Sequence, residues 1–303
     1  MLMKSLKVIL LSFVAAVCVS CGTTNTVPIT GRQQSLMVSD GEILSLSTQQ
    51  YQEFMKSAKL STNTTNTAMV KRVGQNLANA VTTYLQAAGL SSDLQYYTWQ
   101  FNLVQSNEAN AWCMPGGLIC VYEGILPVTQ DEASLAIVLG HEIAHAVARH
   151  SAEQMSTQMK QQYGVQTIGA LAGMLGIGNT AVSIGQAVAS QGLTFANLKY
   201  SRNHENEADH MGLIFAAMAG YDPQAAITFW QRMSAASTNQ TAEFLSDHPS
   251  DATRIKNIQG WMPEALQYYK PKTSTTTSKA TTKTATTKKT ATTTKKSVTT
   301  KKK

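Results

Sequence analysis

The sequence predicts a mostly helical α+β domain with a small sheet, and several features of its 303 residues support this. Apolar residues recur at helical spacing across residues 66–90, and a further helix is expected at 41–60. Residues 132–149 are apolar nearly all round, which is typical of a buried helix. Between them, residues 94–104 alternate in polarity and are rich in aromatic side chains. Gly116-Gly117 then provides a hairpin turn, so a small sheet is expected there.

The N-terminus, residues 1–20, resembles a secretory signal. A basic start precedes a ten-residue apolar run at 8–17, which is too short to span a bilayer as a helix. The small residues before Cys21 resemble a bacterial lipobox. We therefore expect cleavage before Cys21, lipidation of its thiol and attachment to a membrane; an ordinary signal peptide cleaved nearby is the alternative. Residues 21–40 are then expected to be a tether.

The C-terminal residues 271–303 are almost entirely Thr, Lys, Ser and Ala, which is the composition of a disordered tail. The ten lysines of this tail exceed the formal charge of +7 for the whole chain, because residues 21–270 carry 13 basic against 18 acidic side chains. Because that body is mildly acidic, no nucleic-acid partner is expected. The tail is expected either to contact anionic envelope polymers or lipids, or to be a solvated spacer. Residues 41–270 are expected to form one domain.

The expected hairpin pairs residues 110–115 with 118–122. Pro115 confines the end of its strand to a sheet edge or a bulge, because proline cannot donate a ladder hydrogen bond. Such an edge suits the addition of an extended peptide as a further strand, although an ordinary capped edge fits the pattern equally well. A two-residue turn would place Cys113 opposite Cys120, either as a disulfide or as two packed free thiols.

The segment after the hairpin carries the clearest chemistry. Residues 129–132 read as a capping box that begins a helix running to about residue 159. His141 and His145 are four residues apart and so share one helix face, where both imidazoles can bind one zinc ion. Glu142 is then placed to act as a general base towards water. Two satisfied core histidines are the alternative.

A zinc site of this kind needs a third protein ligand, and the helix expected at 199–219 provides a candidate. Glu205 suits the ligand position, and Asp209, on the same helix face, suits a hydrogen bond that orients a ligand histidine. A solvated acidic helix face is the alternative. The uncharged segment 161–198 is expected to form packed helices beside the site rather than a membrane span. His248 is expected either to stabilise an oxyanion or occupy the open zinc position, or simply to pack in a loop.

Several short motifs, taken in order, resemble those of the HtpX/BepA-like zinc metallopeptidases of the gluzincin clan, which are related to the CAAX prenyl proteases. The resemblance spans residues 28–262. Its motifs are Val27-Pro28-Ile29-Thr30-Gly31-Arg32, Asn110-Ala111, Pro115-Gly116-Gly117, His141-Glu142-Ile143-Ala144-His145, Ala148-Arg149-His150-Ser151, Ser201-Arg202, Glu205, Ala208-Asp209, Gly220-Tyr221-Asp222-Pro223, His248-Pro249 and Arg254.

The resemblance implies a zincin-type α+β domain with a central His-Glu-x-x-His helix and a small sheet whose edge strand faces the site. It implies one Zn²⁺ per chain, with these ligands: His141, His145 and Glu205. Glu142 is implied as the base, and contacts to the substrate backbone are implied at Asn110 and Ala111. The resemblance further implies a role in the site for three more residues: Asp209, His248 and Arg254.

We therefore expect a zinc-dependent metalloendopeptidase that hydrolyses peptide bonds of misfolded or unassembled envelope proteins. It is expected to be lipid-anchored in a bacterial cell envelope and to face the periplasm at the outer membrane. The alternative from another class is an envelope chaperone or scaffold whose protease activity is latent because the site blocks itself. A purely structural zinc is a third reading.

Overall fold

The computed structural model describes residues 23–158, 161, 195, 198–236 and 253–271. Its helices are α1 (Asp40–Ser57), α2 (Thr64–Ala87), α3 (Leu126–Thr129), α4 (Glu132–Val147), α5 (Arg202–Met218), α6 (Ala225–Ala236) and α7 (Arg254–Tyr268). Its strands are β1 (Thr23–Thr26), β2 (Gln33–Leu36), β3 (Gln100–Val104), β4 (Ala111–Met114) and β5 (Leu118–Tyr122). The prediction of a mostly helical α+β domain is confirmed. Within the described residues, no helix has the length and apolarity to cross a membrane.

The main sheet has three strands in the order β3-β5-β4. β5 pairs parallel with β3 and antiparallel with β4, so β4 lies at an edge of the sheet formed by the described strands, as expected. The strand predicted at 94–104 is shorter than expected, because Ser91–Tyr96 forms a 3-10 helix and the strand begins only at Gln100. Before Gln100, the alternating aromatic side chains pack against the core, but their backbone does not pair with a neighbouring strand among the described residues.

The hairpin turn is one residue longer than expected, which changes the register. Met114 pairs with Leu118, so the connection is Pro115-Gly116-Gly117, and both glycines have positive φ. Cys113 consequently lies opposite Ile119, not Cys120. The two cysteines are buried free thiols in separate apolar clusters, so the expected facing pair is wrong and no disulfide joins them.

The N-terminal residues expected to be a tether include a strand pair. β1 and β2 pair antiparallel, and the turn between them has positive φ at Ile29 and Gly31. Val27 and Leu36 are buried in the core, with exposures of 1% and 5%. This strand pair therefore packs against the folded body.

The core is organised around α4, which contacts α2, α5, α6 and strand β4. Every residue of this helix from Ser134 to Val147 is buried, as its sequence predicts. α4 and α5 approach most closely at Gly140 and Gly212. A Cβ atom added at Gly212 would lie 2.6 Å from the backbone nitrogen of His141. Small residues at this crossing bring the two chemically important helices into backbone contact.

Candidate metal centre

The start and end of α4 differ from the prediction. Asp131 is the N-cap and its carboxylate accepts a hydrogen bond from Ser134 N at 2.7 Å, so the expected capping box at Thr129 is wrong. Thr129 instead ends the short helix α3, and Gln130 has a φ of 67° that separates the two helices. The helix ends at Val147 because Arg149 has a φ of 55°, which interrupts the helical hydrogen bonds before a second helical segment at 150–158.

α4 presents two imidazoles towards α5. His141 and His145 are 2% and 1% exposed, and their Nε2 atoms lie 3.1 Å apart. Glu205, in the first turn of α5, is 3% exposed, and each of its carboxylate oxygens lies 3.4 Å from one of those Nε2 atoms. Ser201 begins α5 by accepting a hydrogen bond from His204 N, which holds this first turn in place.

The three side chains fit a zinc ion. Tetrahedral zinc with bonds of about 2.0–2.1 Å to nitrogen or oxygen requires its ligand atoms to be about 3.3–3.4 Å apart. The observed separations of 3.1, 3.4 and 3.4 Å are close to that edge length. Two imidazoles and one carboxylate are also the donor set of catalytic zinc sites that leave one position open. The structure thus brings together the three residues predicted as ligands.

Behind His141 lies a charged pair. His141 Nδ1 is 2.8 Å from Asp209 Oδ1, and Arg254 Nη2 donates to the same oxygen at 2.7 Å. The guanidinium carbon of Arg254 lies 3.5 Å from the centre of the Trp230 ring. Burial raises the pKa of Asp209, but the charge of Arg254 and the contact with His141 outweigh it, so this pKa is lowered. Asp209 and Arg254 thus lie directly beside His141, one of the candidate ligands.

The electrostatics of the two imidazoles differ. Burial lowers the pKa of His141, but hydrogen bonds to Asp209 and Glu205 raise it to about 9. Burial lowers the pKa of His145 well below its ordinary value, and Glu205 opposes this only in part. Tyr200 stacks on the His145 ring with the centroids 4.1 Å apart, and its hydroxyl lies 2.9 Å from Ser151 Oγ. These contacts fix the ring plane of His145.

Glu142 lies on α4, which packs against strand β4. It is 3% exposed, and its charge adds to burial in raising the pKa of the Cys113 thiol on β4. At the start of this edge strand, Asn110 and Ala111 are both buried, and Asn110 Oδ1 accepts a hydrogen bond from Ala111 N at 2.8 Å. The charge of the general-base candidate therefore acts on a side chain of the edge strand.

Several expectations lie outside the described residues. These are the signal at 1–20, Cys21, most of 161–198, His248 and the tail from residue 272 onward. The alternative of a self-blocked chaperone depended on His248. No contact among the described residues favours that alternative.

Sequence reasoning missed the partners of His145. Tyr200 and His150 both contact its ring, and Glu207 approaches His150 from α5. His150 stood in a recognised motif, Ala148-Arg149-His150-Ser151, but the pattern carried no information about what it contacts.

Comparison with known proteins places the chain among metallopeptidases. It is 39% identical over 176 residues to the mitochondrial metalloendopeptidase OMA1 of Schizosaccharomyces pombe, covering 57% of this chain and 49% of that protein. It is 30% identical over 245 residues to the human metalloendopeptidase OMA1, covering 79% of this chain and 46% of the relative. The putative beta-barrel assembly-enhancing protease of Vibrio cholerae is 32% identical over 176 residues, covering 56% and 35%. The chain thus spans about half or less of the length of these relatives.

These relatives overturn the expected location. The prediction of a lipid-anchored, periplasm-facing position at a bacterial outer membrane is wrong, because relatives from fungi, a plant and animals are mitochondrial proteases. The Schizosaccharomyces pombe protein is 39% identical to this chain, against 32% for the Vibrio protein. The human protein matches 79% of this chain, against 56% for the Vibrio protein. The comparisons also give no support to a lipid anchor at Cys21 or to contacts made by the basic tail.

The comparisons identify the family of the chain but not its branch within that family. The beta-barrel assembly-enhancing proteases are among the relatives, but the comparisons do not single out their branch. The family model for peptidase family M48 matches residues 65–262, which include all four of the central residues of the site, His141, Glu142, His145 and Glu205. This confirms the prediction of a metallopeptidase domain. The chain belongs to peptidase family M48.

Proposed function

We propose that this chain is a zinc-dependent metalloendopeptidase that binds one Zn²⁺ through His141, His145 and Glu205. The observation that carries the proposal is that the three buried ligand atoms lie 3.1–3.4 Å apart, close to the spacing that tetrahedral zinc requires. Zinc held there would supply Lewis acidity, lowering the pKa of a water molecule to about 7 and polarising a peptide carbonyl.

Residues of the chain transfer the protons and orient the ligands. Glu142 accepts the proton of the attacking water on its carboxylate and returns it to the amine nitrogen that leaves when the peptide bond breaks. Asp209 accepts a hydrogen bond from His141 Nδ1, which turns the Nε2 lone pair of that ligand towards the site. Arg254 keeps Asp209 ionised, so that it remains an acceptor.

The substrate we propose is a protein segment in an extended conformation. Within the described part of the chain, β4 is hydrogen-bonded to a neighbouring strand on one side only, so its other side can add a peptide strand starting near Asn110 and Ala111. A cavity beside His145, lined by Tyr97, Pro115 and Gly116 among others, can receive a side chain of such a peptide. We propose that the catalytic domain spans residues 41–270.

The test is metal analysis beside cleavage of unfolded casein by the full chain and by Glu142→Gln. Glutamine has nearly the shape of glutamate but cannot accept the proton, so the variant should bind one zinc per chain and lose about 10²-fold or more of the cleavage rate. Asn203→Ala, at an exposed position on α5, is the control and should cleave like the wild type. Full activity of Glu142→Gln, or a wild-type chain that binds no zinc, would overturn the proposal.

A further inference from the structure

A line of polar side chains runs from His145 away from the candidate metal centre. His145 Nδ1 lies 2.9 Å from His150 Nδ1, and His150 Nε2 lies 2.9 Å from Glu207 Oε2. His150 is fully buried and Glu207 is 7% exposed. The line therefore connects a ligand on α4 to a carboxylate on α5 through the helical segment that follows Arg149.

The direction of the protons follows from the acceptor at the end of the line. An ionised carboxylate can only accept, so His150 donates from Nε2 to Glu207. The neutral ring of His150 then has a lone pair on Nδ1 and accepts the Nδ1 proton of His145. His145 is left with its Nε2 lone pair facing Glu205 and His141, which is the form of imidazole that binds a metal.

The far end of the line is anchored in the turn between β1 and β2. Thr30 Oγ1 donates to Glu207 Oε1 at 2.5 Å, and Arg32 Nε donates to Glu207 Oε2 at 2.8 Å. The same guanidinium also donates twice to Glu153, at 2.8 and 2.7 Å. Both carboxylate oxygens of Glu207 are thus engaged, which prevents it from turning away from His150.

The two ligand histidines are therefore oriented in matching ways by different groups. His141 is oriented by Asp209, a direct carboxylate partner, and its Nε2 lone pair also faces the site. The carboxylate that corresponds to it for His145 is that of Glu207, which acts through the ring of His150. The two Nε2 atoms lie 3.1 Å apart, and their lone pairs are directed at the same point. A cation shared by both imidazoles requires this arrangement.

We propose that His150 and Glu207 form a positioning relay that holds His145 in the Nδ1–H form, with Arg32 anchoring the relay. The proposal rests on the proposed zinc site. His150 and Glu207 are positioning residues, since they touch neither the proposed ion nor a substrate. A merely structural role predicts a loss of stability alone, whereas a relay also predicts a loss of zinc affinity that depends on the acceptor at position 150.

The experiment measures zinc affinity of the full chain by competition with a chromophoric chelator. His150→Leu removes the acceptor for His145 Nδ1–H and should weaken zinc binding by about 10–100-fold. His150→Asn places an amide oxygen where Nδ1 lies, so it should bind zinc to within about threefold of the wild type. His204→Asn is the control, because His204 stacks on His150 with centroids 4.4 Å apart but does not belong to the hydrogen-bonded line.

His150→Leu binding zinc as tightly as wild type would overturn the relay while leaving the zinc site intact. A wild-type chain that binds no zinc would overturn the proposed function itself. Should His150→Leu fail to fold, ring ¹⁵N chemical shifts of the zinc-loaded wild type decide the question. The relay requires a proton on Nδ1 of His145 and on Nε2 of His150, and the opposite forms would overturn it.

Discussion

At the scale of single residues, Asp209 contacts both the proposed ligand His141 and the buried Arg254. Its Oδ1 lies 2.8 Å from His141 Nδ1 and 2.7 Å from Arg254 Nη2. We expect Asp209→Ala to weaken zinc binding by about 10–100-fold, because His141 loses the partner that orients it. The free energy of unfolding of the metal-free chain should fall by about 3 kcal/mol or more, because a guanidinium that is 3% exposed loses its main partner.

Chelator competition measures the first effect and urea unfolding with zinc removed measures the second. Asn203→Ala on the same helix is exposed and should change neither quantity. Equal zinc affinities for Asp209→Ala and Asn203→Ala would contradict the role assigned to Asp209.

At the scale of elements, the crossing of α4 and α5 determines the distance between the proposed ligands on the two helices. A Cβ atom at position 212 would lie 2.6 Å from His141 N and 2.7 Å from Gly140 C, and backbone atoms cannot rotate aside. Gly212→Ala should therefore separate the helices and lower the free energy of unfolding by about 1–3 kcal/mol. Zinc affinity should fall as well, because Glu205 moves away from both imidazoles.

The matched control for this change is Gly260→Ala in α7, where an added Cβ meets nothing within 4 Å. An alanine in an open helix interior should raise the free energy of unfolding by about 0.5–1 kcal/mol. Opposite signs for the two glycines in urea unfolding are expected. A Gly212→Ala variant as stable as Gly260→Ala would show that the helices do not depend on this contact.

The elements also show which parts of the fold can be predicted from sequence. α2 and α4 were foreseen because helical spacing is a local property of consecutive residues. The predicted hairpin register was wrong by one residue, because the connection has three residues and both Gly116 and Gly117 have positive φ. A pair of glycines is compatible with connections of two or of three residues, so the sequence does not distinguish them. One residue of slip exchanges the faces of a strand, which separated Cys113 from Cys120.

The site divides in the same way. His141, Glu142 and His145 could be predicted because their geometry is set within one helix, and Glu205 and Asp209 because a zinc site needs a further ligand and its support. The contact between His150 and Glu207 could not be predicted. It depends on the helix break at Arg149 and on the packing of segments 57 residues apart in the chain.

At the scale of the whole molecule, the β1–β2 pair is joined to the body through Arg32. This residue precedes the region matched to peptidase family M48, which begins at residue 65. Its guanidinium nevertheless bridges Glu153, in the second helical segment, and Glu207, on α5. The N-terminal strand pair is thereby linked to the two helical segments that flank the proposed metal centre, which implies that it stabilises the domain.

The acid sensitivity of this link can be tested with Glu153→Gln. Burial raises the pKa of Glu153, but His204 and Arg32 lower it from 4.5 to about 2 in the folded chain. The ionised carboxylate therefore stabilises the fold fully above pH 4.5, and this contribution is lost as the pH falls towards 2. In urea unfolding with zinc removed, Glu153→Gln should be less stable than wild type by about 1.5–3 kcal/mol at pH 7, with the difference shrinking below pH 4.5. Glu53→Gln, which breaks an exposed pair with Lys56, should change stability by less than about 1 kcal/mol. A Glu153→Gln difference that stays constant down to pH 2.5, or one no larger than that of Glu53→Gln at pH 7, would show that the N-terminal strand pair is not held through this carboxylate.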